Sequence, residues 1–231
     1  MPIGSGIMSG PHAQKPHLLQ GQGGIASEIG DLRADIKLDF LANAAIAIEE
    51  FTDLAAAGAA LISTAAATTV APRSPTLLAL AASISPPRNI TVTTAGGTPA
   101  DAPATALVTG KDINGNTITE TLTIAQTATI ASGAKAFAKV TSILEAAADG
   151  TGATLSYGIG VLVGLAKPIK TRAGRTGPIQ EIAAGSVVTN GTFATPAVGA
   201  PNGTYSPNTA ANGTNDYALY YEYDASLNRD A

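Results

Sequence analysis

The sequence predicts a mainly β fold: an antiparallel β-sandwich, jelly-roll-like, preceded by an N-terminal arm and a long α-helix. Three observations predict it. Thr, Ala and Gly dominate the 231 residues, with 25 Gly, 14 Pro, no Trp and only 4% aromatic residues; a Thr/Val/Ile-rich chain with this much turn chemistry reads as many short strands. From Arg88 onward, apolar residues recur at every second position in short runs, the period of a half-buried strand. Before residue 58 they recur at steps of three and four, the period of a helix face.

Residues 1–24, rich in Gly, Pro, His and Gln, read as a flexible arm. Residues 25–58 read as the helix. Ile25, Ile29, Leu32, Ile36 and Phe40 share one face, and a second stripe continues through Leu41, Ile48, Phe51 and Leu54. Ser27 precedes Glu28 and Asp31, acids that suit a helix N-terminus, and Gly58 ends the pattern. Its apolar face packs on its own domain or on the same helix of neighbouring subunits. Residues 59–87 are Ala-, Thr- and Ser-rich, then punctuated by Pro72, Pro75, Pro86 and Pro87, and read as a linker; "SPTLLALAAS" within it fits a short helix or a strand.

Residues 88–231 form the sandwich, with a candidate division near 170. "RNITVTT", "TALVTGKD", "NTITETLTI", "ATLSYGIGVLVGL" and "KPIKT" supply strands of a kind buried on one face and solvated on the other. "AKAFAKVTSILEAAADG" fits a helix or an extended run. "DYALYYEYD" closes the domain: Leu219, Tyr221 and Tyr223 share one face, Ala218, Tyr220 and Glu222 the other, and four of the six Tyr lie here. Such a strand is central or at an interface, where aromatic side chains bury most area.

Charge and residue usage exclude several function classes. Lys+Arg 13 against Asp+Glu 17 gives a net charge of −4, against a general nucleic-acid binder, which needs a basic face. With 13% charged residues, surfaces partly covered by other chains are expected. Without Cys there is no disulfide framework or thiolate site. The N-terminus lacks the pattern of a secretory signal. The Ala-rich stretch 55–67 is too short and weakly apolar to span a bilayer.

Motif by motif, bland readings outweigh chemical ones. "GKDINGNTITETLTI" offers Asp112, Asn114 and Asn116 at calcium-loop spacing. A calcium loop needs Gly at its sixth position and Glu at its twelfth; here those positions hold Thr117 and Thr123, and Gly115 comes too early. Asn114-Gly115 fits a tight hairpin turn instead, both residues tolerating positive φ. In the return strand Glu120 shares a face with Ile118 and Leu122, so it is either paired or near a sheet edge. His12 and His17, the only His, lie in the arm without nearby acids, a poor metal site and no basis for a triad. No Gly-x-Ser-x-Gly elbow occurs, and "LVTGKD" lacks the rest of a phosphate loop. Glu49-Glu50 reads as a solvated helix face. The Asn-Gly-Thr triplets at Asn190, Asn202 and Asn212, with Asn89-Ile-Thr, match glycosylation acceptors but read as turns. Lys167, Lys170, Arg172 and Arg175 form the one positive cluster, a solvated loop or a contact for an acidic surface. No catalytic, cofactor-binding or metal-ligating residue is assigned, and no cofactor.

"RNITVTT", "VTGKDINGNTITETLTI", "KAFAKVTSI", "GVLVGLAKPI" and "GTYSPNTAANGTNDYALYYEYD", in that order, resemble structural proteins of tailed bacteriophages, in particular head decoration (cement) proteins. The resemblance covers about Arg88 to Asp224 and departs at "VGLAKPI", where relatives have a shorter turn. It does not account for the N-terminal region. It implies a non-enzymatic role on the capsid surface of the virion, made in the host cytoplasm. The implied partner is the major capsid protein, and the implied state a homo-oligomer, a trimer by preference, with no direct nucleic-acid or membrane contact. The alternatives are a tail or head-tail adaptor component and a receptor- or carbohydrate-binding β-module.

Overall fold

The computed structural model describes residues 45–170 and 179–224. Thirteen strands follow in order: β1 Ala45–Phe51, β2 Gly58–Ala67, β3 Arg88–Gly96, β4 Thr105–Lys111, β5 Thr117–Thr123, β6 Ile130–Phe137, β7 Lys139–Glu145, β8 Ala153–Gly164, β9 Gln180–Ala183, β10 Ser186–Val188, β11 Thr192–Ala194, β12 Thr204–Ser206 and β13 Tyr217–Tyr223. They build three sheets, in the orders β1-β13-β9-β10, β11-β12-β8-β3-β6 with β2 also on β8, and β5-β4-β7. Every strand pair is antiparallel.

Two cores result. The first lies between the β8-centred sheet and the β5-β4-β7 sheet, where Ile90, Val92, Leu155, Tyr157 and Ile159 meet Val108, Ile118, Leu122 and Ile143. The second lies under the β1-β13-β9-β10 sheet, where Phe51, Tyr217, Leu219 and Tyr221 meet Val163, Leu165 and Tyr205. β8 runs through both: its first residues pair with β2 and its last two with β12, while β3 lies along its other edge. The alternation read from residue 88 onward is what lets each strand present one buried face.

The expected long helix over residues 25–58 is overturned. Residues 25–44, with the stripe Ile25 to Phe40, and the arm 1–24 lie outside the described residues. Residues from Ala45 onward form β1 and the turn after it, and no long α-helix occurs among the described residues. The stripe Ile48, Phe51, Leu54 had suggested helical spacing, but Ile48 is exposed while Ala47, Phe51 and Leu54 are buried. A seven-residue ladder to the Tyr-rich β13 wins over local pattern, since strand pairing is decided by cross-strand packing.

Residues 59–87, expected as a linker, are part of the fold. They carry most of β2 and a short 3-10 helix at Ala79–Ala82. Arg73 binds the carboxylate of buried Glu145 through Nε and Nη2, both at 2.8 Å, and the two backbones exchange hydrogen bonds of 3.2 and 2.8 Å. The small residues of β2 permit close approach to β8: a Cβ on Gly158 would lie 1.7 Å from the Gly58 carbonyl oxygen. The undecided "AKAFAKVTSILEAAADG" is extended, as the end of β6 and β7.

Candidate contact face and groove

β1 places Glu49 and Glu50 on opposite faces, so the pair read as one solvated helix face is split. Glu49 faces the second core beside Leu219, its register partner. The Tyr221 hydroxyl donates to its carboxylate, and the Ala166 N–H donates to the same oxygen at 2.7 Å. Burial pushes the Glu49 carboxyl above its ordinary value, although these hydrogen bonds oppose the shift. A second acid–tyrosine pair sits on β9: the Tyr205 hydroxyl donates to Glu181, which also accepts from the Gly191 N–H at 2.9 Å and the Asn208 N–H at 3.2 Å. Phe193 packs against both tyrosines, with ring centroids 5.0 Å and 5.4 Å away. Burial above all, then the neighbouring carboxylates, hold both phenols well above the usual range. These acids order the loops between strands: each fixes backbone N–H groups that would otherwise lack partners.

The opposite face of the same sheet is open. Register aligns Glu50, Ala218, Ile182 and Val187 in one row, Ile48, Tyr220 and Gln180 in the next, and Ile46 with Glu222 in a third. Ile46, Ile48 and Val187 are 54%, 57% and 66% exposed. Single exposed aliphatics are ordinary; here Ile46 and Ile48 are neighbours on edge strand β1 and Val187 stands on the other edge, β10, with half-buried Tyr220, Ala218 and Ile182 between them and Glu50, Gln180 and Glu222 on the same face, a mixed face with two exposed aliphatic edges of the kind contact surfaces use.

Beside the last residues of β1 runs a groove of about 600 Å³. Glu49, Glu50 and Thr52 line it together with Ser83, Ile84, Pro86 and Ile113. The Ser85–Pro86 peptide bond is cis.

Asp112 Oδ1 accepts the Asn114 N–H at 2.8 Å and the Asn116 N–H at 2.9 Å, so the would-be calcium ligand serves its own turn. The Gly115 N–H donates to the Asp112 carbonyl at 3.1 Å, and only Gly115, not Asn114, has positive φ, at 80°. The hairpin is therefore a type I turn closed by a left-handed Gly, not a two-residue turn with positive φ at both residues. Glu120, on edge strand β5, accepts the Ala134 N–H at 2.6 Å and the Lys135 N–H at 3.2 Å, where β6 bulges away from β3; it is both near an edge and paired. Asn89 is buried, donating to the Gly133 carbonyl at 2.9 Å and accepting the Leu162 N–H at 3.0 Å. Asn190 accepts the Glu181 N–H, Asn202 donates to the Leu165 carbonyl, and Asn212 accepts the Thr214 N–H.

Lys167 and Lys170 lie in the segment beside β13, where the Lys170 N–H donates to the Glu222 carbonyl at 3.1 Å; Arg172, Arg175, His12 and His17 lie outside the described residues. Among the described residues no three His, Cys, Asp or Glu side chains group as metal ligands, and no helix is long and apolar enough to cross a membrane. The acid–tyrosine pairs were missed by sequence reasoning; strand alternation through "AIAIEEF" was the signal that would have turned Glu49 inward. No protein-family model matches the chain, and no curated protein or solved structure does either.

Proposed function

We propose that the protein is a structural component of a tailed-phage virion, a head decoration protein that binds the major capsid protein lattice and works as a homo-oligomer, by preference a trimer. The observation that carries the reading is the outer face of the β1-β13-β9-β10 sheet, which exposes Ile46 and Ile48 on one edge strand and Val187 on the other, among Glu50, Tyr220, Gln180 and Glu222. Such a mixture of exposed aliphatic, aromatic and polar groups suits a protein partner. The resemblance of the stretch from Arg88 to Asp224 to head decoration proteins supplies the partner. Repeated over a lattice, modest contacts of this kind sum to strong stabilisation of the shell.

Heads depleted of the protein and then supplemented test this. Wild-type protein is expected to bind depleted heads and restore their resistance to heat. The double variant Ile48→Lys/Val187→Lys is expected to bind about 100-fold more weakly or worse, since each aliphatic buried in a contact contributes roughly 1.5–3 kcal/mol. Its own melting temperature should hardly move, because both side chains are exposed in the free protein. Equal heat resistance of depleted and complete heads would overturn the role, and equal binding by the variant would overturn the face.

A further inference from the structure

We propose that the β1-β13-β9-β10 sheet continues from copy to copy: β1 of one chain pairs antiparallel with β10 of the next, and the chains close into a ring. The first observation is the open edge of β1. The Lys170 and Ile179 N–H groups donate to the Glu222 and Tyr220 carbonyls, so these residues of β13 turn their backbone groups away from β1. Leu219, Tyr221 and Tyr223 therefore make the hydrogen bonds to β1, through their register partners Glu49, Ala47 and Ala45. The N–H and C=O groups of Ile46, Ile48 and Glu50 are left along the outer edge, and among the described residues no strand takes them. The edge also lacks the usual defences. Its seven residues run without Pro, Lys or a bulge, and such an edge templates another strand.

The second observation is the other end of the sheet, where β10 is also an edge. Ala184 and Gly185 have φ of 50° and 74° and lie between the register partners Ala183 and Ser186. In such a two-residue hairpin the flanking pair exchanges the hydrogen bonds, so Val187 turns its N–H and C=O outward. The third observation is that the two edges fit. Each strand of this sheet is antiparallel to its neighbour, so β1 and β10, with two strands between them, run in opposite directions. A copy added beside β10 by rotation about an axis along the strands presents its β1 antiparallel, with no dyad. Pairing Ile48 with Val187 then brings together, on one outer face, aliphatics that stand exposed on separate edges. From Ala183 to Asn190 the chain holds no charged residue, so Glu50 meets no like charge. A β1–β1 pairing would instead set the acids of both copies along one seam. Two different edges make a heterologous contact, which forms a ring when the rotation closes. The ring size of three rests on the oligomer proposed above; the edge pairing does not.

The chain contains no cysteine, so introduced thiols report the pairing without background. Residues opposite each other in a hydrogen-bonded antiparallel pair have Cα atoms about 5.5 Å apart, within disulfide reach. Within one chain Ile48 and Val187 stand three strand spacings apart, roughly 14 Å, beyond it. Mild oxidation of full-length Ile48→Cys/Val187→Cys is therefore expected to give a covalent ladder that stops at three chains. Ile48→Cys alone and Val187→Cys alone should each give at least tenfold less crosslinked product. Ile48→Pro removes an N–H that β13 does not use, a change an edge strand tolerates. It is expected to keep the strand circular dichroism and to run as a monomer in native mass spectrometry, where wild type is a trimer; if it fails to fold, the cysteine ladder decides alone. Rapid crosslinking of Ile48→Cys by itself would overturn the proposal by showing a β1–β1 dyad. No ladder from the double variant, or a monomeric wild type, would overturn it outright. A ladder that runs on without closing would overturn the ring, and one that closes at another number the trimer. All of this is read on the isolated protein, so its failure is separate from failure of the head-binding test.

Discussion

Glu49 is a carboxylate turned toward a core, held by a phenol and a backbone amide and raised in pKa by burial. A raised folded value means that its stabilising contribution is full below the unfolded value of about 4.5 and is lost as pH climbs through the folded value. Glu49→Gln removes this dependence. The melting temperature of the variant relative to wild type is therefore expected to rise as pH climbs above about 4.5 and then to level off once the folded carboxyl has ionised; a difference that does not change with pH would contradict the assignment. The tyrosines give the alkaline counterpart. Tyr157, Tyr205 and Tyr221 are buried with phenols pushed well above 10, so the stability they contribute is present at neutral pH and lost as pH rises beyond 10. Phenolate absorbance during alkaline titration should show these three ionising together with loss of the sheets. Ionisation of all six tyrosines near pH 10 with the strand circular dichroism intact would count against it.

Among the elements, β8 is the most demanding, because its glycines set how near the neighbouring strands come. Gly158→Ala would drive a Cβ to 1.7 Å from the Gly58 carbonyl oxygen, a backbone atom with nowhere to rotate. A loss of about 3 kcal/mol or more is expected in denaturant unfolding; a loss under about 1 kcal/mol would mean that β2 does not sit on β8 as described. Asp112→Ala, which removes the acceptor for two turn amides, should cost about 1–2 kcal/mol. Strands with one wet and one dry face, such as β5 with Ile118 and Leu122 inward, were readable in the sequence, as were the hairpin at Gly115 and the faces of β13. β1 and β2 were not. In β1 the large aliphatics Ile46 and Ile48 point outward, while Ala47 and an acid point inward, so the apolar pattern is inverted and mimics a helical step. In β2 the Ala, Ser and Thr residues carry little signal of their own; Ile62 anchors it in the first core, and the close approach to β8 that the glycines allow is not visible locally. The groove lies between segments distant in sequence, Glu49 to Thr52 and Ser83 to Pro87, and no local pattern announces it.

Across the whole molecule, the two cores are tied by β8 and by Arg88. The guanidinium is buried, donating from Nη1 to the Ala55 carbonyl at 2.7 Å and from Nη2 to the Gly160 carbonyl, with Nε unpartnered. Burial lowers its pKa to about 10, so it stays charged at neutral pH and depends on those two carbonyls. Arg88→Ala leaves both carbonyls without their donor and is expected to cost about 3 kcal/mol or more. Wild-type protein should unfold in one calorimetric transition and the variant with weakened coupling between the cores; two transitions in the wild type would contradict a shared scaffold. With both cores braced, the sheet over the second one presents Ile46, Ile48, Ile182 and Val187 as a fixed face, and a fixed face is what a lattice contact needs. The most direct test of that role is an image of the virion at a resolution that separates strands. A head decoration protein is expected to appear as this fold in many copies over the head, its β1-β13-β9-β10 sheet turned toward the major capsid protein. Density for it confined to a ring of few copies at the neck or tail, or absent from the particle, would contradict it.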